Sequence, residues 1–295
     1  MTIIQKKILS YIEKIPALSP TIARIIAITG NDNASARDLV NAIKLDPVLT
    51  AKVLNLINSA YFAMPQQVVS INRAIILLGM NTIKNLALSA EVLSSFNPGE
   101  GASFNVNKFW EHSLACAVGC KLIALHVISD PIKQEEFFIA GLIHDIGKIF
   151  LIKHFPRDYF SLIKKITDYD QLVVKEKRFF TLNHAEIGGL IADKWALSGE
   201  LVKSIQHHHD NTVQDESKMP AAVYLSNRYC KINAYDDSIG LPQPTDLKET
   251  DWQRLGLNTS MEKELFSTLK IRVEEAKIFL QVRHPINDQQ PPQDN

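Results

Sequence analysis

The sequence predicts an all-α fold made of two helical lobes, and three observations lead to this prediction. Apolar residues recur at helical spacing along nearly the whole chain, while the alternation typical of strands is almost absent. Residues that start helices precede several of these apolar stripes, as Ser19 does before Pro20 and Asp46 before Pro47. A concentrated stretch of loop residues at 97–103 separates the first part of the chain from the second.

The first lobe is assigned to residues 1–98. Pro16 interrupts the apolar stripe of the first helix, and Gly30 ends the second helix. Ser35 is expected to cap the third helix, and Gly79 separates the last two. The predicted helices are 3–15, 20–29, one that follows Ser35, one that begins at Pro47, 71–78 and 83–93.

The second lobe is assigned to residues 104–282. Its last helix is predicted as one long amphipathic segment at about 260–282. The polar, proline-containing stretch 283–295 is predicted to be a disordered tail. The other predicted helices are about 106–127, one that ends at 144–145, 148–154, 157–168, 170–180, 184–195, 199–209 and 220–231.

Composition excludes several classes of protein. The 32 Lys and Arg residues equal the 32 Asp and Glu residues, which argues against dedicated nucleic-acid binding. The densest basic stretches, 164–165 and 175–178, are interpreted as solvated helix faces. The three cysteines are too few and too apolar in setting for a disulfide framework, which indicates a reducing compartment. With no signal-peptide pattern and no apolar run of roughly 18 residues, we expect a cytoplasmic protein without membrane contact.

The pair His144 and Asp145, in the run AGLIHDIGK at 140–148, is the most informative motif of the chain. A carboxylate that faces a core must be paired, hydrogen-bonded or bound to a cation, and an adjacent imidazole favours a shared metal ion. Neighbours on a helix diverge by about 100°, so both turn inward only at a helix end, where Gly147 is expected to supply conformational freedom. The alternative is that the two side chains bond each other and cap the helix.

Other histidines offer the same ligand type. His112 lies early in a long helix, His184 lies in a first turn after Asn183, and three consecutive histidines occupy 207–209. Taken alone, each has a simple structural explanation, either as a satisfied interior histidine or as a positive charge at a helix C-terminus. Their order on successive helices resembles the ligand order of phosphohydrolases of the HD superfamily. That resemblance implies a final Asp, where this chain has Asn227, a neutral and weaker oxygen ligand.

The N-terminal lobe resembles a more specific family. Its segments PALSP at 16–20, DPVLT at 46–50, LNLINSAY at 54–61 and INRAI at 71–75 are similar to those of the HDOD family, the HD-related output domain of bacterial signalling proteins. The second lobe continues the resemblance, which covers about 16–282, with 140–148, HAEIG at 184–188, IQHHHD at 205–210 and DWQRLG at 251–256. It implies a two-lobed signalling module that acts through contacts with signalling proteins.

The chain also resembles the HD-GYP cyclic di-GMP phosphodiesterases. The likeness implies a divalent transition metal, iron, manganese, nickel or zinc, as one or two ions. It further implies catalytic roles for Asp145 and for Lys148, which would steady a phosphate, if the protein is an enzyme. The Gly-Tyr-Pro loop is absent and Asn227 replaces Asp, so an efficient hydrolase is not expected. The implied metal ligands are His112, His144, Asp145, His184, His208, His209 and Asn227.

Three functional hypotheses follow. The leading one is a stand-alone regulatory protein of bacterial signal transduction that acts through protein contacts, with or without a metal in the HD site. The alternative is a metal-dependent phosphohydrolase or cyclic di-GMP phosphodiesterase, with a nucleotide or phosphate ligand at that site. The third is a scaffold whose histidines are merely packed and which needs no cofactor.

Overall fold

The computed structural model describes residues 1–31, 33–95, 104–210, 217–237, 239–242, 244 and 246–282. All regular secondary structure within these residues is helical, so the all-α prediction is confirmed. The predicted loop at 97–103 and the predicted disordered tail at 283–295 lie outside the described residues.

Five helices form the first part of the chain, and their caps agree with the sequence. Ser19 Oγ accepts a hydrogen bond from the backbone N–H of Ile22 at 3.4 Å, and Asp46 Oδ1 accepts one from Leu49 at 2.9 Å. Ser35 and Asp38 form a capping box. The helices are α1 (Ile3–Glu13), α2 (Pro20–Thr29), α3 (Ala36–Lys44), α4 (Pro47–Ile57) and α5 (Ile71–Ser95).

The break inside α5 lies at Gly79, as predicted. Its φ of +81° is in the region that favours glycine, and the helix changes direction there. The part after Gly79 is mostly buried and packs against both parts of the chain. Among the described residues, α5 is the one helix long and apolar enough to cross a membrane, and over half of its most apolar window is buried inside the fold.

Twelve further α-helices follow, with 3₁₀ turns at Tyr169–Gln171 and Thr259–Met261. They are α6 (Val106–Val127), α7 (Pro131–Ile143), α8 (Ile146–His154), α9 (Pro156–Ile163), α10 (Leu172–Phe180), α11 (His184–Lys194), α12 (Gly199–Gln206), α13 (Met219–Ile232), α14 (Glu249–Gln253), α15 (Glu262–Phe266), α16 (Leu269–Ala276) and α17 (Ile278–Gln281). Helix α6 lies at the centre and packs against α7, α13 and α16.

Three predicted boundaries in the second part were wrong. The helix expected at about 157–168 is α9, which ends at Ile163. The expected single helix at 260–282 is divided into α15, α16 and α17, which have different packing partners: α15 and α16 pack on α6, whereas α17 also reaches α5. Phe279 of α17 lies 5.8 Å from the Tyr61 ring of the first lobe, measured between centroids. Helix α12 ends at Gln206, so His207, His208 and His209 follow it in a turn.

Candidate metal centre

The predicted ligand residues come from separate elements of the second part. His112 lies on α6, His144 and Asp145 form the junction between α7 and α8, and His184 is the first residue of α11. His208 and His209 lie in the turn after α12. Packing of α6 on α7, of α8 on α11 and of α11 on α12 brings these side chains together. We call His112, His144, Asp145, His184, His208 and His209 the histidine–aspartate cluster.

Hydrogen bonds behind the rings set the orientation of the histidines. A ring nitrogen beside a carbonyl oxygen must donate, so an Nδ1–H bonded in this way leaves a lone pair on Nε2. His184 Nδ1 instead meets Glu176 Oε2 at 2.6 Å. The Nδ1 bonds to carbonyl oxygens are His112 to Tyr235 at 2.7 Å, His144 to Gly141 at 2.8 Å and His208 to Ile205 at 2.7 Å.

The Nε2 atoms converge on Asp145. Those of His184 and His208 each lie 3.3 Å from Asp145 Oδ1, and that of His144 lies 3.3 Å from Oδ2. His112 Nε2 is more distant, at 3.9 Å from Oδ2. His184 Nε2 and His209 Nε2 are only 3.0 Å apart, so a proton or a cation is required between them.

Unpartnered atoms in the cluster fit a metal ion. Asp145 Oδ1 and His144 Nε2 are buried and have no hydrogen-bond partner among the described residues. Buried polar atoms are nearly always satisfied, so these two atoms call for a ligand. One ligand atom from each of Asp145, His184, His208 and His209 lies within 4.8 Å of the others, as coordination of a single ion requires.

Electrostatics hold most of these groups in the form that binds metal. Burial lowers the pKa of His112 and His209 well below the usual value, and lowers that of His208 to about 3, so these rings are neutral near pH 7. Burial raises the pKa of Asp145, but His144 and Lys148 outweigh it and the net shift is strongly downward. Asp145 is therefore an ionised carboxylate beside the neutral imidazoles of His112, His208 and His209.

His184 differs from the other rings. Burial lowers its pKa, but the carboxylates of Glu176 and Asp145 outweigh burial and the net pKa is raised. A proton on His184 Nε2 satisfies the close approach of His209 when no cation is present. A divalent ion bound there displaces that proton.

Lys148 and Asp237 lie directly beside the cluster. Lys148 Nζ donates to Asp145 Oδ2 at 2.7 Å and to Asp237 Oδ2 at 2.8 Å, and all three side chains are buried. Lys231 Nζ also donates to Asp237 Oδ2, at 2.7 Å. Burial lowers the pKa of Lys148, but Asp145 and Asp237 raise it by more than burial lowers it, so the ammonium stays charged.

Asn227 lies on α13, one helical turn before Lys231, and is buried. Its Nδ2 donates to Tyr169 Oη at 3.3 Å, and the Tyr169 ring lies 5.7 Å from that of His209. Asn227 Oδ1 has no partner among the described residues, and within those residues no hydrogen bond joins Asn227 to the cluster. It therefore borders the cluster, and its role as a ligand stays a prediction.

Sequence reasoning missed Glu176, Asp237 and Lys231. The interpretation of 175–178 as a solvated helix face is wrong for Glu176, because its side chain is buried and bonded to His184. A signal for it existed: Leu172, Glu176 and Phe180 recur every four residues on the buried face of α10. Asp237 follows α13 in a stretch without regular structure, where no periodicity marks it as buried.

Gly147 also has a different role from the expected one. Its φ is not positive, so it supplies no unusual backbone conformation. Instead, a Cβ at this position would lie 1.9 Å from the carbonyl oxygen of His184. The glycine is needed for the close approach of α8 to α11.

A cleft of about 530 Å³ opens beside the cluster. Its walls include Asn183, Glu186, Gln206 and Asp210, and His209 is the one member of the cluster that lines it. His209 is half-buried, whereas the other members are buried. Access from this cleft to the cluster is therefore through His209.

Known proteins share this fold. The HDOD domain family model matches residues 15–211. The crystal structure of an HDOD domain protein of unknown function from Geobacter sulfurreducens superposes with a TM-score of 0.75, at 24% identity, over 94% of this chain and 97% of that one. The crystal structure of a proposed phosphohydrolase from Shewanella amazonensis SB2B superposes with a TM-score of 0.74, at 23% identity, over 94% of this chain and 98% of that one. At these identities the likeness establishes the fold alone.

Among curated proteins, an uncharacterized protein of Treponema pallidum (strain Nichols) is 26% identical over 210 residues. The match covers 68% of this chain but only 38% of the relative, so the chain spans about two fifths of that protein's length.

Proposed function

Because the chain belongs to the HDOD domain family, by a match over residues 15–211, we propose that it is a metal-binding regulatory domain that acts through protein contacts. The buried histidine–aspartate cluster is the part of the fold that would hold the ion. A divalent ion in such a set of ligands supplies Lewis-acid polarisation and acidifies bound water. In a regulatory protein the same ion serves to hold helices together.

One observation carries the metal proposal: oriented Nε2 atoms surround a carboxylate oxygen that has no other partner in the described part of the chain. His208 and His184 are held by hydrogen bonds at Nδ1, and both direct Nε2 at Asp145 Oδ1 from 3.3 Å. Oriented imidazoles with fixed tautomers are typical of metal ligands. Histidines that were merely packed would satisfy both ring nitrogens and leave no buried oxygen unpaired.

The enclosure of the cluster favours regulation over catalysis. Catalytic metal sites keep an open coordination position for water and substrate, whereas structural sites are closed by protein ligands. Apart from His209, every member of the cluster is buried. The neutral Asn227 beside the cluster adds no charge that would help to ionise water.

Exposed apolar side chains support a role in protein contacts. Leu45, Val48, Val69 and Ile76 of the first part of the chain are each at least 60% exposed. In the second part only Val174 and Ile271 of the described residues reach the same exposure. The greater number of exposed apolar side chains in the first part supports the N-terminal helices as the part that meets a partner.

Metal content tests the proposal. We expect untagged protein prepared without chelator to contain stoichiometric divalent metal by plasma mass spectrometry, and the double variant His144→Ala/Asp145→Ala to contain none. His126→Ala is the matched control, because His126 lies at the exposed end of α6 and its loss leaves the cluster intact. A wild-type protein without metal would contradict the proposal and favour packed histidines.

Phosphohydrolase activity is the second candidate, favoured by the cleft at His209, which is large enough for a phosphate ligand. Metal-loaded protein is assayed against cyclic di-GMP and a chromogenic phosphodiester, with Asn227→Asp alongside. If the protein is a regulatory domain, we expect neither the wild type nor Asn227→Asp to turn over either substrate. Turnover that rises in Asn227→Asp would establish a catalytic site in which the asparagine limits activity.

A further inference from the structure

Among the described residues, three groups of side chains could hold a metal ion, and two of them overlap at Asp145. The group outside this overlap is His112, Cys116 and His144, in which burial raises the pKa of the Cys116 thiol and so keeps it protonated. The first of the two overlapping sets consists of Asp145, His184, His208 and His209. The second consists of His112, Asp145 and Asp237. In each set the ligand atoms lie within 4.8 Å of one another, and Asp145 belongs to both. By residue type and spacing alone, the protein has places for two ions that share one carboxylate.

A lysine ammonium already lies within the second set. Lys148 Nζ is 2.7 Å from Asp145 Oδ2 and 2.8 Å from Asp237 Oδ2, which are carboxylate oxygens that a metal in this position needs. Lys231 Nζ adds a second ammonium at 2.7 Å from Asp237 Oδ2. The oxygens of the second set are therefore engaged by cations that belong to the chain itself.

The surrounding charges favour a divalent ion in the first set and disfavour one in the second. Around Asp237, the carboxylates of Asp145 and Asp237 are balanced by the ammonium groups of Lys148 and Lys231. A divalent ion there would face two fixed positive charges at close range in a buried environment, where repulsion is only weakly screened. Asp145 Oδ1 faces the first set, and among the described residues the only cationic or potentially cationic groups paired with it are histidines.

We infer that Lys148 takes the place of a second metal ion, so that the protein binds one ion in the set Asp145, His184, His208 and His209 and excludes another from the set that contains Asp237. The inference rests on the proposed function in one respect, that a metal binds at all. It narrows the expected number of bound metal ions from one or two to one. It also makes Lys148 a fixed internal cation, engaged by two carboxylates, in place of a group free to hold a phosphate.

Titration with Mn²⁺ tests the inference without any assay of activity. Bound manganese is counted by plasma mass spectrometry after desalting, and electron paramagnetic resonance distinguishes an isolated ion from two exchange-coupled ions that share a carboxylate. We expect one isolated Mn²⁺ per wild-type chain. We expect Lys148→Met, which keeps the length of the side chain and removes its charge, to bind two coupled ions.

Lys84→Met is the matched control. Lys84 pairs with Glu136 outside both ligand sets and leaves both bonds of Lys148 in place, so this variant is expected to bind one isolated ion. Should Lys148→Met fail to fold, Lys148→Gln replaces it, because the neutral amide still donates one hydrogen bond to a carboxylate.

The possible failures are distinguishable. Two coupled ions in the wild type, or a single ion in folded Lys148→Met and Lys148→Gln at saturating Mn²⁺, would overturn the inference and leave the proposed function standing. A wild-type protein that binds no manganese and contains no other divalent metal would overturn the proposed function itself.

Discussion

Glu176 is buried and accepts three hydrogen bonds, two of them from His184. Its carboxylate meets the backbone N–H of His184 at 2.9 Å, His184 Nδ1 at 2.6 Å and the hydroxyl of Tyr159 at 2.9 Å. These bonds place the first residue of α11 and the ring that it carries in one orientation. Glu176 is therefore a positioning residue for the proposed ligand His184.

We expect Glu176→Gln to weaken metal binding by about 10- to 100-fold, because the neutral amide orients His184 less firmly and makes its ring less basic. The affinity is measured by competition with a chromogenic chelator. Glu136→Gln is the control, since Glu136 pairs with Lys84 outside the cluster. Equal affinities for the two variants would show that Glu176 has no influence on the metal.

At the scale of elements, helix termini and close contacts between helices place the ligands. Asn183 and Glu186 form a capping box at the start of α11, directly before His184. The equivalent box at the start of α3 is made by Ser35 and Asp38, far from the cluster in sequence and on a different part of the fold. Removing each cap in turn separates the effect of a lost cap on stability from its effect on metal binding.

We expect Asn183→Ala and Ser35→Ala each to lower the free energy of unfolding by about 1 kcal/mol, as the loss of a helix cap does. Only Asn183→Ala is expected to weaken metal binding, because it loosens the turn that carries His184. Urea denaturation measures the first quantity and chelator competition the second. A Ser35→Ala variant that lost metal equally would mean that global stability, and not the local cap, controls the site.

The contact between α8 and α11 depends on Gly147. We expect Gly147→Ala to destabilise the protein by about 1–3 kcal/mol and to weaken metal binding, because the added Cβ forces α11 and His184 away from Asp145. Gly199→Ala is the matched control: no atom lies within 4 Å of its added Cβ, so the change is neutral or stabilising by up to about 1 kcal/mol. Thermal melting with and without metal compares the two variants.

At the scale of the whole molecule, the buried ionisable groups make the stability of the metal-free protein depend on pH. The pKa values of His112, His208 and His209 are lowered mainly by burial, so below their usual value of 6.5 the unfolded chain binds protons that the folded chain does not. Stability therefore falls as pH falls below about 6.5. The raised pKa of His184 has the opposite effect on stability. It concerns one ring, whereas the lowered pKa values concern three, so the net effect is a loss of stability at low pH.

We expect the urea midpoint in the presence of chelator to fall between about pH 7 and about pH 5. His208→Gln removes one of the contributing rings and is expected to flatten this dependence. Saturating metal stabilises the folded state by mass action and raises the midpoint at about pH 7. A midpoint in chelator that did not change over this pH range would contradict the low pKa values of the buried rings.

Local signals in the chain were enough to predict most helices. Proline at the first position and Ser or Asp at the cap begin α2 and α4 as expected, because these signals act within one helical turn. The three helices in place of the predicted long one at 260–282 could not be foreseen, since their packing partners, α6 for α16 and both α5 and α6 for α17, come from distant parts of the chain.

For the site, the order of His112, His144, Asp145, His184 and the last histidines along the chain predicted the residues that meet. By itself, the sequence determined the helices, their caps and the identity of the potential ligands, because those depend on residue type and short-range spacing. Only the tertiary structure decided that Glu176 lies behind His184 and that Lys148 lies between Asp145 and Asp237. These contacts join residues on different elements, and burial gives them their strength by removing the water that would otherwise screen them.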